Sequence, residues 1–111
     1  PMAKYEAHLT GDFYAVLGAI HQSILDGSAS AHFEDSSDWS CGDVQCAVRV
    51  YERYSMAGGN RVSLNVTLVG KGQELFLSGI TSGGSRAMFL KLNTWGEETF
   101  LEELIRAVER L

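Results

Sequence analysis

Residues 44–68 read VQCAVRVYERYSMAGGNRVSLNVTL, and this stretch decides the fold class. Apolar and polar side chains alternate along 44–53 and again along 61–68, which is the pattern of half-buried strands. The predicted apolar face carries Val44, Cys46, Val48 and Val50 on the first strand and Val62, Leu64, Val66 and Leu68 on the second. Ala57-Gly58-Gly59-Asn60 predicts a tight turn, because glycine and asparagine tolerate the positive φ of such turns. We therefore expect an antiparallel hairpin.

The segment before this hairpin predicts a strand, a helix and a second strand. Strict alternation over residues 4–9 indicates a half-buried strand. Asp12 offers an N-cap to a helix over 13–26, whose apolar stripe is Phe13, Val16, Leu17, Ile20 and Ile24. Residues 28–34 predict a short strand with Ala29, Ala31 and Phe33 in phase. The acidic, serine-rich residues 34–43 predict a turn-like connection.

The segment after the hairpin predicts two more strands and a final helix. Gly70-Lys71-Gly72-Gln73 indicates a second turn before a strand at 74–80, and the loop 82–85 precedes a strand at about 86–92. Thr94 followed by Glu97 has the spacing of a capping box. The stripe of the last helix is Phe100, Leu104, Val108 and Leu111.

These elements predict a single α+β domain over residues 1–111, with the order β-α-β-β-β-β-β-α. We expect an antiparallel sheet with both helices on one face, because the long strands are apolar on one side only. The order resembles the helix-grip fold of small lipid- and steroid-binding domains and the half-saddle of TATA-binding proteins. One shared core is expected for Val48, Val50, Leu64, Val66, Ile20 and Leu104.

Charge is distributed unevenly along a chain whose net charge is −5. Residues 44–93 carry six basic against two acidic side chains, and the segments on either side are acidic. This overall balance argues against a nucleic-acid partner, since phosphate contacts would have to overcome the acidic remainder. The chain has no apolar run of about 20 residues, so we expect no membrane partner and a cytoplasmic protein.

The first candidate site is a cluster of three arginines. Arg49 and Arg53 alternate onto the predicted polar face of one strand, and Arg61 is predicted on the same face of its hairpin neighbour. Guanidinium groups that converge in this way could clamp a carboxylate or a phosphate. The alternative is a solvated sheet face whose basic residues discourage edge pairing.

The second candidate site is the loop Ser82-Gly83-Gly84-Ser85-Arg86. Small residues let backbone N–H groups approach an anion, and Arg86 adds a positive charge, so Gly83, Gly84, Ser85 and Arg86 form a candidate ligand-binding set. The alternative is a plain hairpin loop. Glu52 is in phase with Val48 and Val50, so its carboxylate is predicted either at the rim of the core or in a pocket.

Residues that carry metal or covalent chemistry are few and scattered. Cys41 and Cys46 have no second pair with zinc-ligand spacing, and His8, His21 and His32 are far apart in sequence. No nucleophile has a base that the sequence can place beside it. We therefore expect no metal, no cofactor and two ordinary reduced thiols.

Three stretches carry a resemblance to a known family: residues 2–11, residues 46–54 and residues 58–68, with Ile80-Thr81-Ser82-Gly83-Gly84-Ser85 and Gly96-Glu97-Glu98 extending it. They resemble a family of small bacterial proteins of unknown function. The resemblance implies a bacterial, cytosolic protein and supplies no functional residues to carry over.

The sequence as a whole favours a binding or protein-interaction module over an enzyme. We expect a homodimer that uses one sheet face or an edge strand, and a possible small anionic or apolar ligand. The alternative is a small-ligand carrier with an apolar cavity between the sheet and the C-terminal helix, which would lie beneath Phe100 and Leu104.

Overall fold

The computed structural model describes residues 3–27, 31–55, 60–83 and 90–111. Five strands and two helices fill these ranges: β1 (Ala3–Thr10), α1 (Phe13–Gly27), β2 (His32–Cys41), β3 (Val44–Ser55), β4 (Asn60–Lys71), β5 (Glu74–Gly83) and α2 (Leu90–Glu109). All five strands belong to one sheet in the order β1-β5-β4-β3-β2, and every neighbouring pair is antiparallel. The α+β class and the antiparallel sheet are therefore confirmed.

Helix α1 connects the two edge strands, because β1 and β2 lie at opposite ends of the sheet. Strands β2 to β5 then form a meander that returns to β1. Gly72 has a φ of 59° in the turn between β4 and β5, a left-handed value that favours glycine, so the predicted turn at 70–73 is confirmed. Both helices pack on the same face of the sheet, as expected.

The core lies between this inner face and the two helices. All five residues of the predicted α1 stripe are buried in one apolar cluster. Asp12 caps the helix as predicted, since Ala15 N–H donates to its Oδ2 at 2.9 Å. Leu64, Val66, Ile20 and Leu104 are 0 to 1% exposed and share the core, which confirms four of the six predicted core residues.

The predicted face of β3 is wrong. Tyr51 pairs with Leu64 and is 0% exposed, whereas Val48 and Val50 lie on the opposite, outer face and are only half-buried. Along 44–53 the valines lie on one face of the strand, and Ala47 and Tyr51 lie on the other, so both faces carry apolar residues. The burial of a whole tyrosine ring outweighs the burial of a valine, because the ring removes more apolar surface from water.

Strand β2 corrects a second prediction. The segment predicted as turn-like is a ten-residue strand, His32–Cys41, and every residue in it is exposed. An edge strand is held by backbone hydrogen bonds to one neighbour, so it needs no apolar face, and charged side chains are common there. The predicted strand at 28–34 therefore ends seven residues too early, and the described strand begins at His32; residues 28–30 lie outside the described ranges.

A third prediction, the strand at about 86–92 followed by a helix capped at Thr94, also differs from the structure. Helix α2 begins at Leu90, so residues 90–92 are helical rather than part of a strand, and Thr94 lies inside the helix rather than at its N-cap. The rest of that predicted strand, residues 86–89, and the turn residues 57–59 lie outside the described part of the chain. The order of the described elements is β-α-β-β-β-β-α, with one strand fewer than expected.

Candidate functional site

An open groove lies between α1 and the β2 side of the inner face. It exists because α2 packs mainly on β1, β4 and β5 and α1 mainly on β3 and β4, so neither of the two described helices lies chiefly over the β2 edge. The groove has a volume of about 360 Å³. Its lining residues are Tyr14, Leu17, Gly18, His21, Phe33, Ser36 and Arg49.

Aromatic rings form one wall of this groove. His21 of α1 lies edge-on to Phe33 of β2, with ring centroids 5.2 Å apart and an interplanar angle of 84°. Nδ1 of His21 is 2.8 Å from the hydroxyl of Tyr51, so the imidazole is joined by a hydrogen bond to the buried ring of β3. This bond satisfies the one polar atom that Tyr51 brings into the core.

His21 and Tyr51 are both uncharged at neutral pH. Burial lowers the pKa of His21, and the positive charge of Arg49 lowers it further. Burial raises the pKa of Tyr51 to about 12, and Arg49 opposes this in part. Tyr51 therefore keeps its proton and can donate it to Nδ1, in which case Nε2 of His21 carries the ring's own N–H.

Arg49 supplies the positive charge of the groove. Its side chain is only 16% exposed, and Nη1 lies 2.5 Å from Oδ1 of Asp38 on β2. Nη2 lies 3.3 Å from the other carboxylate oxygen, and Nη1 also donates to the carbonyl oxygen of Val48 at 3.0 Å. Since the Asp38 side chain is 60% exposed, this pair joins a largely buried cation to a mostly solvated anion.

A second pocket of about 270 Å³ lies beside the groove, and Tyr14 lines both. Asp38 and Trp39 of β2 line this pocket together with Phe13, Ser40, Gln45 and Cys46. Two of the exposed large aromatic residues of the described chain, Tyr14 and Phe33, thus lie along the junction between α1 and β2, whereas Trp39 pairs with Cys46 on the opposite face and lines the second pocket from the β2 edge.

The predicted convergence of three arginines is wrong. Arg49 and Arg53 share the inner face, with Tyr51 between them, but Arg61 pairs with Tyr54 in the register and lies on the outer face. There Arg61 forms an ion pair with Glu52, which places that carboxylate outside the core rather than in a buried pocket. The error follows from the wrong face assigned to β3. The predicted polar face combined the arginines of β3, which lie on the inner face, with Arg61 of β4, which lies on the outer face.

The other predicted site residues are placed as follows. Arg53 donates to Oγ1 of Thr99, and its guanidinium lies 4.7 Å from the ring centroid of Phe100, so it joins β3 to α2. Gly83 ends β5 with a φ of 128°, and a Cβ there would overlap the carbonyl oxygen of Arg61. Gly84, Ser85 and Arg86 lie outside the described ranges. Ligand binding by these residues stays a prediction.

The space beneath α2 is packed where the structure describes it. Phe100 and Leu104 are each 0% exposed, and Cδ2 of Leu104 occupies the position that a Cβ on Gly79 would take. The described residues therefore place open volume beside α1 rather than at this point under the C-terminal helix.

Sequence reasoning did not identify His21, Phe33 or Asp38 as site residues. The available signals were weak: His21 directly follows a residue of the α1 stripe, and Asp38 lies in a segment predicted as a turn. Within the described ranges no group of three or more His, Cys, Asp or Glu side chains could hold a metal ion, and both cysteines are free thiols. No helix in the described part of the chain is long and apolar enough to cross a membrane.

Comparisons with solved structures give only distant similarity. The chain is similar to the protein TTHA0849 from Thermus thermophilus, with 10% identity and a TM-score of 0.41 over 99% of this chain and 95% of that one. It is similar to a protein from Nitrosospira multiformis, with 11% identity and a TM-score of 0.44 over 94% and 93%. A major latex-like protein from Panax ginseng has 8% identity and a TM-score of 0.33 over 99% and 95%.

Scores this low carry no argument about function. No curated protein matches the sequence. A family model, by contrast, matches residues 2–111, which is almost the whole chain. The chain belongs to the family of unknown function DUF6054.

Proposed function

We propose that this protein binds a small organic anion with a flat, apolar body in the groove between α1 and the β2 side of the inner face. The observation that carries the proposal is the position of Arg49, a nearly buried cation beside aromatic side chains in an open groove. Binding sites for small molecules are typically concave and mostly apolar, with a few polar groups that fix orientation. The groove volume of about 360 Å³ is at the small end of the range for such sites.

The aromatic wall supports the flat body of the ligand. Tyr14 and Phe33 are 64% and 45% exposed, so both rings have uncovered surface that a second ring could cover. Aromatic pairs favour offset or edge-to-face contacts beyond the burial of their area. The bond from Tyr51 to His21 holds the imidazole in place, so the wall is ordered before a ligand arrives.

The polar end of the groove supports an anionic ligand. The carboxylate of Asp38 accepts from both terminal nitrogens of Arg49. A ligand carboxylate would share or replace that contact, because a guanidinium has five N–H donors and Asp38 is exposed enough to be resolvated at little cost. Asp38 is therefore a built-in competitor, and its removal should tighten binding rather than weaken it.

The test uses 2-naphthoate and its uncharged amide as matched probes. Titration followed by calorimetry and by NMR shifts of the groove residues should show at least about tenfold tighter binding of the acid, the difference expected for one charge-assisted hydrogen-bonded pair. Arg49→Gln should remove this preference, and Asp38→Asn should increase the affinity for the acid. Arg106→Gln, which changes an exposed ion pair on α2, is the control and should change nothing.

Three results would overturn the proposal. They are equal binding of acid and amide by the wild type, no binding of either at millimolar concentration, and a naphthoate affinity in Arg49→Gln equal to that of the wild type.

A further inference from the structure

The outer face of the sheet carries two apolar columns that neither α1 nor α2 covers in the described part of the chain. One column runs along β3 as Cys46, Val48 and Val50, and the other contains Phe76 and Ile80 of β5. Strand β4 lies between them. Ile80 is 39% exposed, and the other four are half-buried although nothing in the described chain packs over this face. Single exposed apolar residues are ordinary, but contiguous ones mark an interaction surface.

The register aligns these columns in rows across the sheet. Trp39, Cys46, Val69, Phe76 and His8 form one continuous row from the β2 edge to the β1 edge. Two rows away, Val50 and Ile80 flank Asn65. The apolar residues are thus nearly symmetric about β4, with the β3 column on one side and the β5 column on the other.

We propose that this outer face binds a second copy of the chain through a twofold axis parallel to β4. A rotation of 180° about this axis stacks the outer faces of the two sheets. Each row of one copy then lies over the same row of the second copy, and the β1 edge of one sheet lies over the β2 edge of the other. The β3 column of one copy then packs on the β5 column of the other, with Val50 against Ile80 and Cys46 against Phe76. Val69 lies on the axis and meets its own counterpart, which is the self-complementarity that a twofold interface requires.

Charge complementarity at the two edges of the sheet favours this arrangement, while on the axis Lys71 and the Glu52-paired Arg61 of β4 face their own counterparts. Lys4 on β1 and Asp35 on β2 lie at the two ends of one row across the sheet. The residues between them in this row are Ile80, Asn65 and Val50. The proposed axis brings β1 of one copy over β2 of the other, so each Lys4 faces Asp35 of the second copy, twice per dimer. An axis across the strands, or pairing of two β2 edges, would instead bring two acidic β2 strands together.

The size of the face is also sufficient. Five strands spaced by about 4.8 Å and about ten residues long cover roughly 24 by 33 Å, or about 800 Å². A standard protein interface buries about 800 Å² on each partner. Aligned sheets pack with their strands about 30° apart, a rotation that long side chains such as Lys4 can follow at the edge.

The experiment measures mass by sedimentation over a range of protein concentrations. The wild type should be a dimer at micromolar concentration, and Val69→Glu should be a monomer because two carboxylates would meet on the axis. Leu111→Glu is the matched control, since Leu111 is exposed on the helix side, 50%, and its replacement should leave the dimer intact. A far-UV circular dichroism spectrum and a cooperative unfolding transition like those of the wild type would show that monomeric Val69→Glu keeps its fold, although its melting temperature should be lower because the dimer contact is lost.

A charge exchange tests the axis itself. Lys4→Glu and Asp35→Lys should each weaken the dimer, and the double variant should restore it, because the exchange recreates both pairs between copies. A wild type that is monomeric throughout, a dimer insensitive to Val69→Glu, or a double variant no better than its single parents would overturn the proposal. None of these outcomes depends on ligand binding in the α1 groove.

Discussion

The contact between Gly79 and Leu104 can be tested by a double-mutant cycle. Gly79 lies on β5 under α2, and Leu104 is fully buried with its Cδ2 at the position of the missing Cβ. Leu104→Ala should cost about 2–5 kcal/mol of unfolding free energy, because it leaves a cavity in the core. Gly79→Ala should cost about 1–3 kcal/mol, because the added methyl group overlaps the leucine.

The double variant should cost much less than the sum of these effects. Its new methyl group at residue 79 fills part of the cavity that Leu104→Ala creates, which removes the overlap and restores about 0.8 kcal/mol of burial for one carbon. The sum of the single effects is about 3–8 kcal/mol, and we expect the double variant at about 1–4 kcal/mol. Both values are large against a total stability of about 5–15 kcal/mol for a domain of this size.

Urea unfolding followed by tryptophan fluorescence and far-UV circular dichroism gives the four free energies. Coincident transitions from the two probes would justify two-state treatment. If the double variant equals the sum of the single effects to within about 0.5 kcal/mol, the two positions are independent and the packing of α2 on β5 described above is wrong.

Two further predictions concern α1. The depressed pKa of folded His21 means that the unfolded chain takes up a proton first as the pH falls below 6.5, so the stability that this group contributes is present above pH 6.5 and is lost on acidification. His21→Gln should therefore flatten the decline of the urea midpoint between about pH 7.5 and 5.5, and an unchanged slope would contradict the assignment. Asp12→Ala should cost about 0.5–2 kcal/mol by removing the cap of α1, and Asp12→Asn should cost much less, because its side-chain oxygen can still accept from Ala15; equal losses in the two variants would count against the cap.

The sequence predicts the elements best where local periodicity and burial agree. Helix α1 has a single apolar stripe and a cap, and both are found as predicted. Strand β1 alternates strictly, and its burial alternates in the same phase. Along β4, Leu64 and Val66 are apolar, their neighbours are polar, and the predicted face is the buried one.

The failures have a different physical origin. Strand β3 is apolar in both phases, so only its pairing with β4 and the packing of α1 decide that Tyr51 faces inward. Strand β2 is set by backbone pairing with β3, which acidic and serine-rich residues do not prevent. The groove combines α1, β2 and β3, so errors in two of these elements removed Phe33 and Asp38 from the candidates. Arg49 was identified as a candidate anion-binding residue, but it was predicted beside Arg61, whereas the structure places it beside Asp38.

The pairing of β1 with β5 has a consequence for synthesis of the chain. Ala3 and Thr81 are partners in the sheet, and the hydroxyl of Thr81 donates to the carbonyl oxygen of Ala3 across 78 positions of sequence. A chain emerging from a ribosome can close the β3–β4 hairpin early, but β1 has no partner until β5 has left the exit tunnel. Contacts this distant slow folding, because the entropy of the intervening loop is lost before the contact forms. During that interval β1 and the apolar stripe of α1 stay uncovered and open to chaperones or to aggregation.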